Sequence, residues 1–159
     1  EHKATLIWLH GLGEPAHWIV PRFDQELMAP PTTRIILAQA PWAWNSWLLR
    51  YIWSWFRGMA YDKEKSELYD HMLDLIEEER LRFPDQDSKR VFIGGNSQGT
   101  IVTLAAYLRY KGPTRLGGYC GILAVNLLPP EEAQRSPAAI KMQSETPMLL
   151  YNGEDDPIL

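Results

Sequence analysis

The sequence predicts an α/β fold, a mostly parallel sheet with helices on both faces. Short continuous apolar runs alternate with longer amphipathic patterns, and a Gly-x-Ser-x-Gly turn lies between one such run and one such pattern. The runs at 5–9, 34–37, 90–93, 119–125 and 147–151 are apolar without alternation, as expected of strands covered on both faces. Two helices are expected. One spans 62–83, with Leu68, Met72, Leu75, Ile76 and Phe83 on one side and Pro84 as its stop. The other spans 98–110, with Ile101, Leu104, Ala105 and Leu108 inward and Gly112-Pro113 beyond its end. A further short helix is expected at 23–28.

The 159 residues suit a single domain over 1–159 with one core, and 45% hydrophobic with 23% charged residues is an ordinary globular composition. A net charge of −4 and the lack of a basic stripe exclude a nucleic-acid binder. No run approaches the roughly 18 apolar residues that cross a bilayer, so stable membrane insertion is not expected. The single cysteine, Cys120, cannot form an intrachain disulfide. It lies in an apolar run and reads as an inert thiol, and a reducing, cytoplasmic setting follows.

One stretch breaks the alternation. An insertion at about 41–58 holds Trp42, Trp44, Trp47, Trp53 and Trp55 with Tyr51 and Phe56. Large rigid aromatics suit a cleft wall or lid, a core insertion or a surface contact. Only Arg50 and Arg57 accompany them, fewer cations than an interfacial helix normally carries.

The chemistry centres on Gly95-Asn96-Ser97-Gln98-Gly99. A strand precedes it and an apolar helix follows it, so Ser97 falls on a sharp strand-to-helix turn that lifts its hydroxyl from the sheet. Glycines flank it because side chains there would collide with the neighbouring strand and helix. The helix start also offers unpaired N–H groups to a developing negative charge. An oxyanion hole needs two converging backbone donors. Gln98, after the nucleophile, nominates one, and Leu12, in Leu9-His10-Gly11-Leu12-Gly13 after the first strand, nominates the other. His10, at that strand end, reads as a loop-bracing residue. A third element, Tyr151-Asn152-Gly153-Glu154-Asp155-Asp156-Pro157, follows a late strand, where a triad acid belongs. Glu154, Asp155 and Asp156 compete for that role.

His10-Gly11-Leu12-Gly13-Glu14, Gly95-Asn96-Ser97-Gln98-Gly99 and Gly153-Glu154-Asp155-Asp156-Pro157 together resemble the acyl-protein thioesterase and phospholipase/carboxylesterase family of α/β-hydrolases. Ser54-Trp55-Phe56 and Pro41, after Ala38-Gln39-Ala40, match further segments of that family in order. The resemblance implies an α/β-hydrolase-type sheet, Ser97 as nucleophile, Asp156 as triad acid, and Leu12 with Gln98 as oxyanion donors. It implies a serine esterase or thioesterase acting on a small-molecule or acylated-protein substrate with an apolar acyl group. Trp42, Trp55 and Phe56 are expected to contact that group, and no metal or organic cofactor is implied. The sequence departs from the family at Glu14 (usually Asp), Thr100 (Gly), Asn152 (His) and Arg57 (commonly Asp).

A serine hydroxyl needs a base. The family's histidine follows the acid by a few tens of residues, whereas His2, His10, His17 and His71 all precede Ser97. His17, near the first motif, is the candidate for a rearranged triad. The sequence ends three residues after Asp156. A last strand and helix are therefore expected beyond it, without which 147–151 would be an uncovered apolar edge. The alternative reading is a non-catalytic pseudo-hydrolase that binds acyl groups or a protein partner.

Overall fold

Strand β1 (Ala4–Leu9) lies second from one edge of a five-stranded sheet of order β2-β1-β5-β6-β7, in which every neighbouring pair is parallel. The others are β2 (Thr33–Ala38), β5 (Val91–Asn96), β6 (Gly118–Ile122) and β7 (Met148–Tyr151). This computed structural model describes residues 2–23, 30–57, 63–124 and 137–153. Three helices, α1 (Lys63–Leu81), α2 (Gln98–Arg109) and α3 (Pro137–Ser144), an antiparallel hairpin of β3 (Trp42–Asn45) and β4 (Arg50–Trp53), and short 3-10 turns at Ala16–Trp18 and Ser88–Arg90 complete the described elements.

Alternate side chains of the central strands divide between two cores, as the period of two requires. Ile7, Leu9, Val91, Ile93 and Tyr119 face the larger cluster, built with Tyr69, Met72 and Ile76 of α1 and Ile101, Val102, Ala105 and Ala106 of α2. Residues 69, 72 and 76 give the expected helical spacing, and α1 ends shortly before Pro84. Trp8, with Leu6, Leu37, Cys120 and Ile122, faces the second cluster, closed by Ile19 and Phe23. Tyr107 of α2 and Gln143 of α3 are joined by two hydrogen bonds, Tyr107 Oη donating to Gln143 O at 2.8 Å and Gln143 Nε2 to Tyr107 O at 3.3 Å. The three described helices thus share one face of the sheet. Of the helix expected at 23–28, only Phe23 belongs to the described residues. No described helix is long and apolar enough to cross a membrane.

Two elements differ from expectation. The tryptophan-rich insertion is an antiparallel hairpin, and α3 was not foreseen. The sheet order places the site. The chain runs outward from β1 to β2, returns to β5 on the other side of β1, and continues outward to β6 and β7. Ligands in such sheets bind beyond the carboxyl ends of the strands where the order reverses. Here that point lies between β1 and β5, whose ends are aligned by the Leu9–Gly95 pairing.

Candidate active site

Ser97 occupies the turn from β5 into α2 with φ 49° and ψ −116°, a backbone region that strongly favours glycine. A non-glycine residue there costs on the order of 1–3 kcal/mol and persists only where its surroundings enforce it. They do so here. Ser97 N–H donates to Ile122 O at 2.8 Å, extending the β5–β6 ladder. Its carbonyl accepts from the Thr100 N–H at 2.9 Å and the Thr100 hydroxyl at 2.6 Å. A serine at a helix start normally caps the helix with its side chain. Ser97 makes no such cap bond, so the hydroxyl is not committed to holding α2.

Close approach of α2 to β1 explains the flanking glycines. A Cβ at Gly95 would stand 2.8 Å from Leu9 O, and one at Gly99 2.6 Å from the Leu9 carbonyl carbon and 2.8 Å from His10 O. The residues after β1 are tied to the same place. Gly13, at φ 81°, donates its N–H to Trp53 O at 2.8 Å, and Glu14 Oε2 accepts from the Gly11 N–H at 2.9 Å. Among the described residues, the N–H groups of Leu12 and Gln98 have no acceptor. Both lie at the aligned ends of β1 and β5, as an oxyanion hole would require.

His10 is 1% exposed and braces the loop. Its Nε2 accepts from the Ala40 N–H at 3.0 Å and faces Gln39 Nε2 at 3.2 Å, so the ring carries its proton on Nδ1, 2.7 Å from Gly11 O. Burial lowers its pKa below 6.5, against smaller upward effects from the Gly11 carbonyl and Glu14. The ring is therefore neutral near pH 7, with both nitrogens engaged. His17 is exposed on a short 3-10 turn (Ala16–Trp18) against the Trp18 ring, His71 is exposed on α1, and His2 bonds to Thr5. No histidine contacts Ser97 among the described residues, so the rearranged triad through His17 has no geometric support.

The hairpin meets the site through its base. Gln98 Oε1 accepts from the Trp55 N–H at 2.9 Å, and Gln98 Nε2 donates to Ser54 Oγ at 3.1 Å and Phe56 O at 3.2 Å. Trp55 Nε1 donates to His10 O at 2.8 Å. Trp55 and Phe56, expected to line an acyl groove, are 8% and 1% exposed and belong to the main core. They stand behind the site as packing. Trp42 is 57% exposed, on a hairpin face where it packs edge-on against Trp53 and Trp44 packs against Tyr51. Cys120, on the strand beside Gly94, has its thiol pKa pushed up by burial, which keeps it protonated and a poor nucleophile. Asp156, with Glu154 and Asp155, lies outside the described residues.

Reasoning from the sequence did not find three sets of side-chain contacts that fix this geometry. The Gln98 side chain, not only its N–H, bonds to the Ser-Trp-Phe segment. Asn152, which follows β7, accepts from the Ala124 N–H at 2.9 Å and joins the ends of β6 and β7. Glu14 also accepts from Asn96 Nδ2 at 3.3 Å across 82 positions of sequence. Only Glu14 left a readable trace, an acid three residues after a glycine whose N–H it could accept.

A family model described as phospholipase/carboxylesterase matches residues 1–159. Acyl-protein thioesterase 1 of Schizosaccharomyces pombe is 31% identical over 178 residues, spanning 99% of this chain and 70% of that protein. Among solved structures, acyl-protein thioesterase 2 of Zea mays superposes with a TM-score of 0.70 at 21% identity, covering 94% of this chain and 70% of its own. SOBER1 of Arabidopsis thaliana gives 0.68 at 21% identity, covering 94% and 89%. At such identities the two structures establish a shared α/β-hydrolase fold. With the family model covering its whole length and a curated relative at 31% identity, this chain belongs to the phospholipase/carboxylesterase family of α/β-hydrolases.

Proposed function

We propose that the protein hydrolyses carboxylic esters or thioesters with an apolar acyl group through an acyl-enzyme on Ser97. The observation that carries this reading is the Ser97 backbone, held at φ 49° between β5 and α2 with its hydroxyl outside the helix cap. Ser97 Oγ attacks the substrate carbonyl, and the oxygen that becomes negative is received by the Leu12 and Gln98 N–H groups. The Ser97 proton passes to the base that the family resemblance places downstream of Asp156, a histidine that is none of His2, His10, His17 and His71. That histidine returns the proton to the departing alcohol or thiol, leaving the acyl group on Ser97. Water, deprotonated by the same base, releases the acid and restores the serine. No step calls for a metal or an organic cofactor.

The exposed aromatic face of the hairpin, Trp42 with Trp44 and Tyr51, supports an apolar acyl group as the preferred substrate portion. Trp55 and Phe56 serve that face by anchoring the hairpin base. The name of the Schizosaccharomyces pombe relative adds acylated proteins to the substrates worth testing. The rival reading is a pseudo-hydrolase that binds an acyl group or a protein partner without cleaving. An alkyl fluorophosphonate separates the two. The esterase reading expects a covalent adduct that is lost in Ser97→Ala. A full-length protein that stays unlabelled and turns over no short- or long-chain p-nitrophenyl ester is the pseudo-hydrolase.

A further inference from the structure

The loop after β1 is tied down on both sides of Leu12. Of the N–H groups from Gly11 to Glu14, Gly11 donates to Glu14 Oε2 at 2.9 Å, Gly13 to Trp53 O at 2.8 Å and Glu14 to Gly11 O at 3.3 Å. Leu12 alone keeps an N–H with no acceptor among the described residues. The oxygen that takes the Gly11 N–H also accepts from Asn96 Nδ2 at 3.3 Å, and Asn96 immediately precedes Ser97. The junction is tight, since a Cβ on Gly11 would stand 3.1 Å from Glu14 Oε2 and 3.2 Å from Asn96 Nδ2.

We propose that Glu14 is a positioning residue for the oxyanion hole, one carboxylate oxygen clamping the Leu12 loop to the residue before the nucleophile. The proposal rests on the serine-hydrolase reading of Ser97 and adds a device that sets the two oxyanion donors relative to each other. Leu12 and Gln98 sit on loops after different strands, and a hole works only if its donors are fixed before charge develops. The Gly13–Trp53 bond fixes the Leu12 loop to the hairpin, and the Gln98 carboxamide fixes the elbow to the same hairpin. The Glu14 bridge is the remaining side, joining loop to elbow directly. A charged acceptor makes both of its bonds stronger than a neutral one would.

The contribution is geometric, because a negative charge beside a forming oxyanion opposes the intermediate. Both bonds end on the same oxygen, so a glutamine can keep them with its carbonyl oxygen and shed the charge. Alanine loses both bonds. This pairing separates positioning from proton transfer, which glutamine could not perform.

The test is steady-state ester hydrolysis by the full-length protein, with Ser97→Ala as the control, together with amide hydrogen exchange at Gly11. Glu14→Ala is expected to lower kcat by about tenfold to 10²-fold, the cost of a donor displaced by up to an ångström, with KM changed less than about twofold. Its Gly11 amide exchanges faster than in the parent. Glu14→Gln is expected to keep kcat within about threefold and to retain slow exchange at Gly11. Asn96→Ala, which removes the elbow end of the bridge and leaves Glu14 in place, carries the same expectation for kcat should Glu14→Ala not fold. The proposal is overturned if Glu14→Gln loses as much as Glu14→Ala, or if Glu14→Ala turns over like the parent. A parent without Ser97-dependent turnover overturns this proposal and the serine-hydrolase reading together, whereas an active parent indifferent to Glu14 overturns this one alone.

Discussion

A single methyl group at Gly99 probes how closely the Ser97 turn depends on the packing of α2 against β1. That methyl would lie 2.6 Å from the Leu9 carbonyl carbon and 2.8 Å from His10 O, where ordinary contact begins at 3.4 Å. The atoms it meets are backbone, and β1 is hydrogen-bonded to strands on both sides, so they cannot swing away as a side chain could. Helix α2 must instead withdraw by about 0.8 Å or more, an overpacking strain that typically costs about 1–3 kcal/mol. For a chain of this size that lowers the melting temperature by roughly 2–12 °C. The same shift carries the Gln98 N–H and the Ser97 hydroxyl out of register with Leu12, and misplacement by about 1 Å can slow a reaction about 10²-fold. Thermal unfolding followed by circular dichroism, together with the rate of fluorophosphonate adduct formation, measures both effects. Gly153→Ala serves as the control for stability, because a Cβ there meets nothing within 4 Å among the described residues. A Gly99→Ala protein that melts and labels like the parent would refute the packing argument.

Other perturbations test separate parts of the account. Trp55→Phe keeps the ring in the core but removes the donor to His10 O, and leaving that buried carbonyl unpaired should cost about 1–3 kcal/mol in thermal unfolding. Trp42→Ala removes an exposed ring and its edge-on contact with Trp53, so stability should fall by no more than about 1 kcal/mol. Its expected effect is a weaker preference for long over short acyl esters, and an unchanged chain-length profile contradicts the acyl-contact role. For His10 the folded pKa lies below its ordinary 6.5 because burial disfavours the imidazolium, so acid favours the unfolded chain. Stability from this group is complete above the unfolded pKa and falls as pH drops through 6.5 toward the lowered folded value. Melting temperatures taken from neutral to mildly acidic pH should fall less steeply in His10→Gln than in the parent. Equal slopes would show that His10 is not the group responsible.

The parallel sheet and the elbow were readable because each is written in local pattern. Continuous apolar runs mark strands covered on both faces, and a glycine on either side of Ser97 marks a turn pressed against its neighbours. The hairpin was hidden by an inverted alternation. In β3 the large apolar side chains Trp42 and Trp44 point outward while Asn45 is buried, its Oδ1 accepting from the Trp47 and Leu48 N–H groups. A strand that turns its tryptophans to the surface does not show the expected hydrophobic face. Helix α3 has only eight residues and little periodicity to detect. Leu12 and Gln98 could be proposed as oxyanion donors from their motifs, but the contacts around them could not. Gln98 bonds to residues more than forty positions away and Glu14 reaches Asn96 across 82, distances at which no spacing rule operates. The burial of Trp55 and Phe56 was likewise settled by three-dimensional packing. An aromatic residue in a sequence reads equally well as groove or as core.

Whether Ser97 is the nucleophile is read most directly by intact and peptide mass spectrometry of the full-length protein after exposure to an alkyl fluorophosphonate. One adduct per chain is expected, carried by the peptide containing Ser97 and lost in Ser97→Ala. Adduct on another residue, equal labelling of Ser97→Ala, or no adduct at all would contradict it.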